Sequence, residues 1–97
     1  MRIVTFRKIK DFSEKNKHLA VALNDWYHRV RKAEWASLSD IKKDFRTVDY
    51  VGNNRYVFNI KGNHYRLVAI VIFASKKMYI RFIGPHNAYD KIDCKTI

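Results

Sequence analysis

Cysteine is almost absent from this chain. Cys94 stands alone, so no internal disulfide can form and a reducing, intracellular address is expected. Long apolar runs are missing as well. The longest, residues 67–74, falls far short of the roughly 20 residues that span a bilayer. The opening Met1-Arg2-Ile3-Val4-Thr5-Phe6-Arg7-Lys8 turns charged before a secretory core could form. A cytoplasmic protein with no membrane partner is therefore expected. No glycine-rich phosphate loop occurs. His18, His28, His64 and His86 show no ligand spacing such as His-x-x-x-His, so neither a metal site nor another cofactor is expected. Repeats, low-complexity tracts, linkers and a helix-turn-helix pattern are also wanting. One domain over residues 1–97 is the natural reading, and a DNA-binding regulator is disfavoured.

Acidic residues are the last shortage. Nine Asp and Glu face 20 Lys and Arg, for a net charge of +11 and a pI near 10.0. Such an excess attracts polyanions over long range, and nucleic acid is the commonest. A merely solvated basic surface is the alternative. An anionic membrane fits less well, because no basic amphipathic helix with an exposed aromatic edge is present. The hydrophobic fraction of 47% is enough for a core, though so small a domain buries a modest share of its surface.

The patterning is that of an α+β chain. Residues 2–6 suit a short first strand. Residues 7–18, with Ile9 and Phe12 among charges, suit a surface helix. Leu19, Leu23, Trp26, Tyr27 and Val30 form an amphipathic stripe, and Arg29, Arg31 and Lys32 complement the dipole at its C-terminal end. Ser37 or Ser39 can cap a short third helix ending about Asp44. Gly52-Asn53-Asn54 signals a turn and residues 55–60 a strand; Lys61-Gly62-Asn63 reads as a hairpin loop. Residues 64–74 and 78–83 follow as strands, the first apolar on both faces from Leu67. Gly84-Pro85 stops the sheet, and residues 86–93 allow a final helical turn or two. The expected architecture is an N-terminal strand, two or three helices packed on an antiparallel sheet of about four strands, and a short C-terminal helix.

Two stretches carry candidate chemistry. Alternation puts Arg66 on the face of Val68, Ile70 and Ile72. A guanidinium there either pairs with an acid or a carbonyl, or grips a phosphate in its planar fork. In the second stretch, alternation separates Arg81 and Tyr79 from Ile80 and Phe82, and Gly84-Pro85 holds His86 at the mouth of the sheet. His86 is either a turn residue or a proton carrier, since imidazole ordinarily titrates near pH 6.5. RNA cleavage requires a base for the 2′-hydroxyl, an acid for the leaving 5′-oxygen and cations for the phosphate. His86, Tyr89, Arg66 and Arg81 can supply that set. Lys42-Lys43 and Lys76-Lys77 read most simply as solvated charges. As RNA-backbone contacts the candidates are Lys42, Lys43, Arg46, Asn59, Lys76 and Lys77. Trp26 and Trp35 offer stacking surfaces, with Trp26 on the apolar stripe and so a core residue.

The order and spacing of Asp25-Trp26-Tyr27, Ala33-Glu34-Trp35, Asp40-Ile41-Lys42-Lys43-Asp44-Phe45, Val57-Phe58-Asn59-Ile60-Lys61-Gly62-Asn63-His64-Tyr65-Arg66-Leu67-Val68, Tyr79-Ile80-Arg81-Phe82-Ile83 and His86-Asn87-Ala88-Tyr89-Asp90 resemble the HigB-type toxins, a branch of the RelE-like ribonucleases. The resemblance implies a RelE-like fold and an endoribonuclease that cuts mRNA on the translating ribosome. It also implies a HigA-like helix-turn-helix antitoxin, through which alone DNA would be contacted. Arg66 matches the phosphate-binding arginine of the central strand. His86 and Tyr89 occupy the stretch where such enzymes keep charge-stabilising, stacking or proton-transfer residues. Val57 and Asn59 stand where RelE carries lysines, which leaves the base open, with His86 or Lys61 in its place. Pro85 stands where many relatives have threonine. A catalytically weak RNA- or ribosome-binding module is the competing expectation.

Overall fold

A computed structural model describes residues 1–62 and 64–97; Asn63, in the expected hairpin loop, lies outside the described residues. The elements run β1 (Arg2–Ile3), α1 (Phe6–Lys15), a 3₁₀ turn (Lys17–Leu19), α2 (Ala20–Lys32), α3 (Leu38–Asp44), β2 (Asp49–Gly52), β3 (Arg55–Ile60), β4 (Tyr65–Ile72), β5 (Lys77–Pro85) and α4 (His86–Tyr89). The α+β expectation holds. The sheet differs in two respects. It has five strands in the order β1-β5-β4-β3-β2, and β1 joins β5 in parallel while the other pairs are antiparallel.

The shortness of β1 and the extra strand β2 have local causes. β1 stops after two residues because Thr5 ends the ladder: its hydroxyl oxygen accepts from the Ile80 backbone N–H at 2.6 Å, and the chain turns directly into α1. β2 is the strand that composition hid. Asn53 and Asn54 take φ of 54° and 63°, the left-handed pair that a tight hairpin requires and that asparagine tolerates. Tyr50 and Val51 ahead of that turn are therefore one arm of a hairpin.

The helical stripe behaves as expected. Leu19, Leu23, Trp26 and Val30 are buried, with Ile41 of α3, against Phe58, Leu67 and Ile80 of the sheet. Phe58 is the aromatic hub, with Trp26 and Phe45 edge-on at 5.3 Å and Trp35 roughly parallel at 6.4 Å. Ser37 caps α3, accepting from Asp40 N. Among the described residues no helix is long and apolar enough to cross a membrane.

The strands alternate between this helical face and an opposite one. Register places Asn59 opposite Arg66, Val57 opposite Val68 and Arg55 opposite Ile70. These three pairs share the face turned away from the core. Val57 and Val68 are buried there without belonging to the main apolar cluster. Residues 90–97 run back over part of that face. Asn53 Nδ2 donates to Lys95 O at 3.0 Å, and Arg55 donates to Ile97 O through Nε and Nη2 at 3.2 and 2.6 Å.

Candidate active site

Where the second face stays open, the polar ends of β3 and β4 line a cleft of about 410 Å³. Its walls include Arg46, Asp49, Val57, Asn59, Arg66 and Tyr89. Arg66 reaches it because the apolar run of β4 begins only at the next residue, as the alternation required. Its guanidinium carbon lies 6.0 Å from the centre of the Tyr89 ring, a cation–π distance. Arg46 arrives from the loop after α3, and Asn59 is the cross-strand neighbour of Arg66.

Tyr89 is held from two sides. Its hydroxyl donates to Cys94 Sγ at 3.6 Å, and the Phe82 ring lies 6.4 Å away. Burial is the main reason its phenol pKa is pushed up from 10.0 to about 12; the Cys94 hydrogen bond and the charge of Asp49 add to this, and Arg66 opposes it. At neutral pH the group is a phenol and a proton donor.

His86 adjoins Tyr89, with ring centres 6.4 Å apart and planes at 88°. Pro85 is the N-cap of α4, and the His86 backbone N–H donates to His64 O at 3.1 Å. Gly84-Pro85 thus places His86 at the end of the sheet as expected, with both residues inside β5. His86 Nδ1 lies 3.1 Å from Asp90 Oδ2. Donation from Nδ1–H to that carboxylate leaves Nε2 as the lone-pair nitrogen. The i, i+4 spacing of His86 and Asp90 was visible in the sequence, and it is the signal that would have found this partner.

Arg81 does not join the cleft. β5 slips by one residue against β4: Val68 faces Phe82 while Ala69 faces Ile80. Arg81 is the extra residue of this bulge. Simple alternation therefore fails: by register Phe82 shares the open face with Tyr79, although it also borders the α1 groove, and Arg81 turns to α1. There it lines a separate groove with Lys8, Asp11, Phe12 and Lys15. Gly84 accommodates the result, since a Cβ on it would meet Phe82 Cζ at 2.6 Å.

Lys61 is also set apart. Its ammonium donates to His18 O at 3.4 Å, in a pocket with His18, His64, Tyr65 and Pro85. Of the expected RNA contacts, Arg46 and Asn59 line the cleft. Lys42 and Lys43 lie exposed on α3, the latter 3.8 Å from Asp40. Lys76 donates to Trp35 O at 2.8 Å and ties the β4–β5 turn to the chain before α3. Lys77 pairs with Arg2 and Ile72 in the ladder. Trp35 offers no stacking surface, because it is 2% exposed and donates to Asp44 at 2.7 Å. Asp49 is not among the residues singled out from sequence, and Cys94 is noted there only as the lone cysteine; strand β2 brings in the first and the C-terminal segment the second.

Residues 19–92 match the HigB toxin family, the RelE-like toxic component of a toxin–antitoxin system. The chain is 33% identical over 93 residues to an mRNA interferase toxin HigB of Escherichia coli (strain K12), covering 93% of this chain and 88% of that protein. An mRNA interferase HigB of Shigella flexneri matches to the same extent. Another, of Escherichia coli O6:H1 (strain CFT073), is 24% identical over 94 residues, or 95% of this chain and 91% of that one.

Proposed function

The chain belongs to the HigB toxin family of RelE-like toxins, and on that premise we propose that it is a single-domain endoribonuclease, an mRNA interferase whose cutting of messages blocks translation. One observation carries the mechanism: Arg66, Arg46, Asn59 and Tyr89 line one open cleft, with His86 edge-on to Tyr89. The reaction needs a proton acceptor, a proton donor and cations around one phosphate, and this arrangement offers all three.

His86 Nε2, with Nδ1–H turned to Asp90, takes the proton of the 2′-hydroxyl. The 2′-oxygen bonds to phosphorus as the bond to the 5′-oxygen breaks, and the Tyr89 phenol supplies the proton to that leaving oxygen. The products are a 2′,3′-cyclic phosphate and a 5′-hydroxyl. Arg66, with Arg46, neutralises the charge gathering on the phosphoryl oxygens, so the protein groups carry the reaction without a metal. Lys61, in its own pocket, is less well placed than His86 to act as the base. Asn59 and Arg46 bind the strand in the cleft, Lys42 and Lys43 extend the basic surface, and Arg81, Lys76 and Lys77 contact RNA outside it. The enzyme works in the cytoplasm on ribosome-bound message, and a HigA-like antitoxin neutralises it.

The test is to map cut sites on a translated message with the wild type beside His86→Ala. Expression should arrest growth, and His86→Ala should remove both the cuts and the arrest while the protein stays folded. Ribosome or RNA binding by the wild type with no cuts would leave only a binding module of the same fold. Undiminished cutting by His86→Ala would remove its role.

A further inference from the structure

Around the end of the sheet from the cleft lies a second constellation, which the proposed reaction does not use. The 3₁₀ turn brings His18 to β4, and His18 Nε2 stands 3.0 Å from the Tyr65 hydroxyl. The two rings meet edge-on at 5.8 Å, and the Phe12 ring also meets Tyr65 edge-on at 6.4 Å. The Lys61 ammonium is steadied by the His18 carbonyl. Its backbone takes φ of 53°, a left-handed conformation in which lysine is uncommon and glycine or asparagine is favoured. With His64 and Pro85, the residues His18, Lys61 and Tyr65 line an open depression of about 440 Å³, comparable in volume to small-ligand sites of about 300–1,000 Å³. Among the described residues, none of the five that line it is acidic. It is therefore a pocket with one ammonium, two imidazoles and a phenol, chemistry suited to a phosphate and a flat base.

Its position decides what fills it. Tyr65 and Arg66 are consecutive on β4, one at this pocket and the other in the cleft. Tyr65 pairs with Pro85, and the next residue, His86, bonds to the His64 carbonyl. The two sites stand back to back across one strand end.

We propose that His18, Lys61, His64 and Tyr65 form a second ribonucleotide subsite. It seats a nucleotide of the same RNA strand beyond the scissile phosphate, with Lys61 on the backbone phosphate and the base against the His18–Tyr65 pair. The assignment rests on the nuclease reading. Lys61 and His18 thus set affinity and the choice of cut position, and leave the chemical step to the cleft.

The experiment uses a fluorescein-labelled octanucleotide of 2′-O-methyl RNA, which lacks the attacking hydroxyl, beside a 2′-O-methyl dinucleotide spanning one phosphate. Binding is followed by fluorescence anisotropy in wild type, Lys61→Ala, His18→Ala and His18→Phe. The alanine variants should bind the octanucleotide about tenfold more weakly, the scale of one lost stacking or phosphate contact, and should bind the dinucleotide as the wild type does. His18→Phe, which keeps a flat ring, should recover most of the loss. Lys61→Ala should flatten the plot of log affinity against log salt by about 0.7, one phosphate on a single strand. On cleavable RNA both alanine variants should raise KM and leave kcat unchanged. Equal binding of the octanucleotide by all four proteins, or an equal loss for both probes, overturns the subsite. A wild type that cuts a translated message while the octanucleotide arms show no difference refutes the subsite alone. Weakened octanucleotide binding in a protein that cuts nothing supports the subsite and refutes the nuclease.

Discussion

The two faces of the sheet are built from the same strands and do opposite things. On the helical face Phe58, Leu67, Ala69 and Ile80 are buried against Trp26, Leu23 and Val30, and every position serves exclusion of water. On the other face Val57 and Val68 are buried in the middle, while Asn59 and Arg66, two residues further toward the hairpin, stand in an open cleft. A step of two residues along each strand separates packing from the proposed chemistry. Stability and activity should therefore respond to different substitutions although the residues are neighbours.

The sharpest break in that comparison should come from the hub of the helical face. Phe58→Ala removes the ring that Trp26, Trp35 and Phe45 surround, and should lower unfolding free energy by about 3–5 kcal/mol in urea titrations. Any protein that remains folded should cut normally. Arg66→Ala should do the reverse, reducing kcat on a translated message by about 10²–10³-fold, or roughly 2.7–4 kcal/mol of barrier. Its urea midpoint should move by under about 1 kcal/mol equivalent. If Arg66→Ala unfolds the protein, the separation of the faces is false.

Gly84→Ala probes the place where they meet. The new methyl group collides with the Phe82 ring, which should cost about 1–3 kcal/mol and shift the ring beside Tyr89, slowing cleavage as well. Adding Phe82→Leu should recover stability; failure to do so would mean the strain lies elsewhere.

The smallest effect is a pH dependence. With the Tyr89 phenol raised to about 12 by burial and its neighbours, the unfolded chain releases this proton first, near 10. The phenol's contribution is complete below pH 10 and fades as pH rises toward 12. Tyr56, raised mainly by burial, acts in the same direction. Tyr89→Phe should therefore show a shallower loss of unfolding free energy above pH 10 in urea titrations, with a residue of slope from Tyr56. Parallel slopes would show that the phenol is not shielded in the folded protein.

Much of this was legible in the residues. The stripe Leu19, Leu23, Trp26 and Val30, a serine cap at Ser37 or Ser39 and the long strand through Leu67 each follow from local periodicity or turn chemistry, and the structure selects Ser37. Arg66, His86 and Tyr89 stood out as candidates from residue type, position and the resemblance to HigB-type toxins, and the fold brings them near one another. Arg81 was expected in the same set and lies outside the cleft, because a bulge shifts the face of every residue beyond it and depends on the partner strand. Lys76 looked like a solvated charge, and only folding reveals the Trp35 carbonyl within its reach. β2 was overlooked although Gly52-Asn53-Asn54 marked its turn, because a four-residue strand with Asp49 and Gly52 at its ends carries little alternation.

By itself the sequence determined the class of fold, the basic character and the set of candidate reactive groups, since periodicity, charge and side-chain chemistry are properties of residues and their near neighbours. Tertiary structure decided which groups share a cleft. Arg66 meets Tyr89, and His18 meets Tyr65, across 23 and 47 positions of chain. Such meetings depend on register, bulges and packing, which are fixed by contacts between strands and helices and not within them.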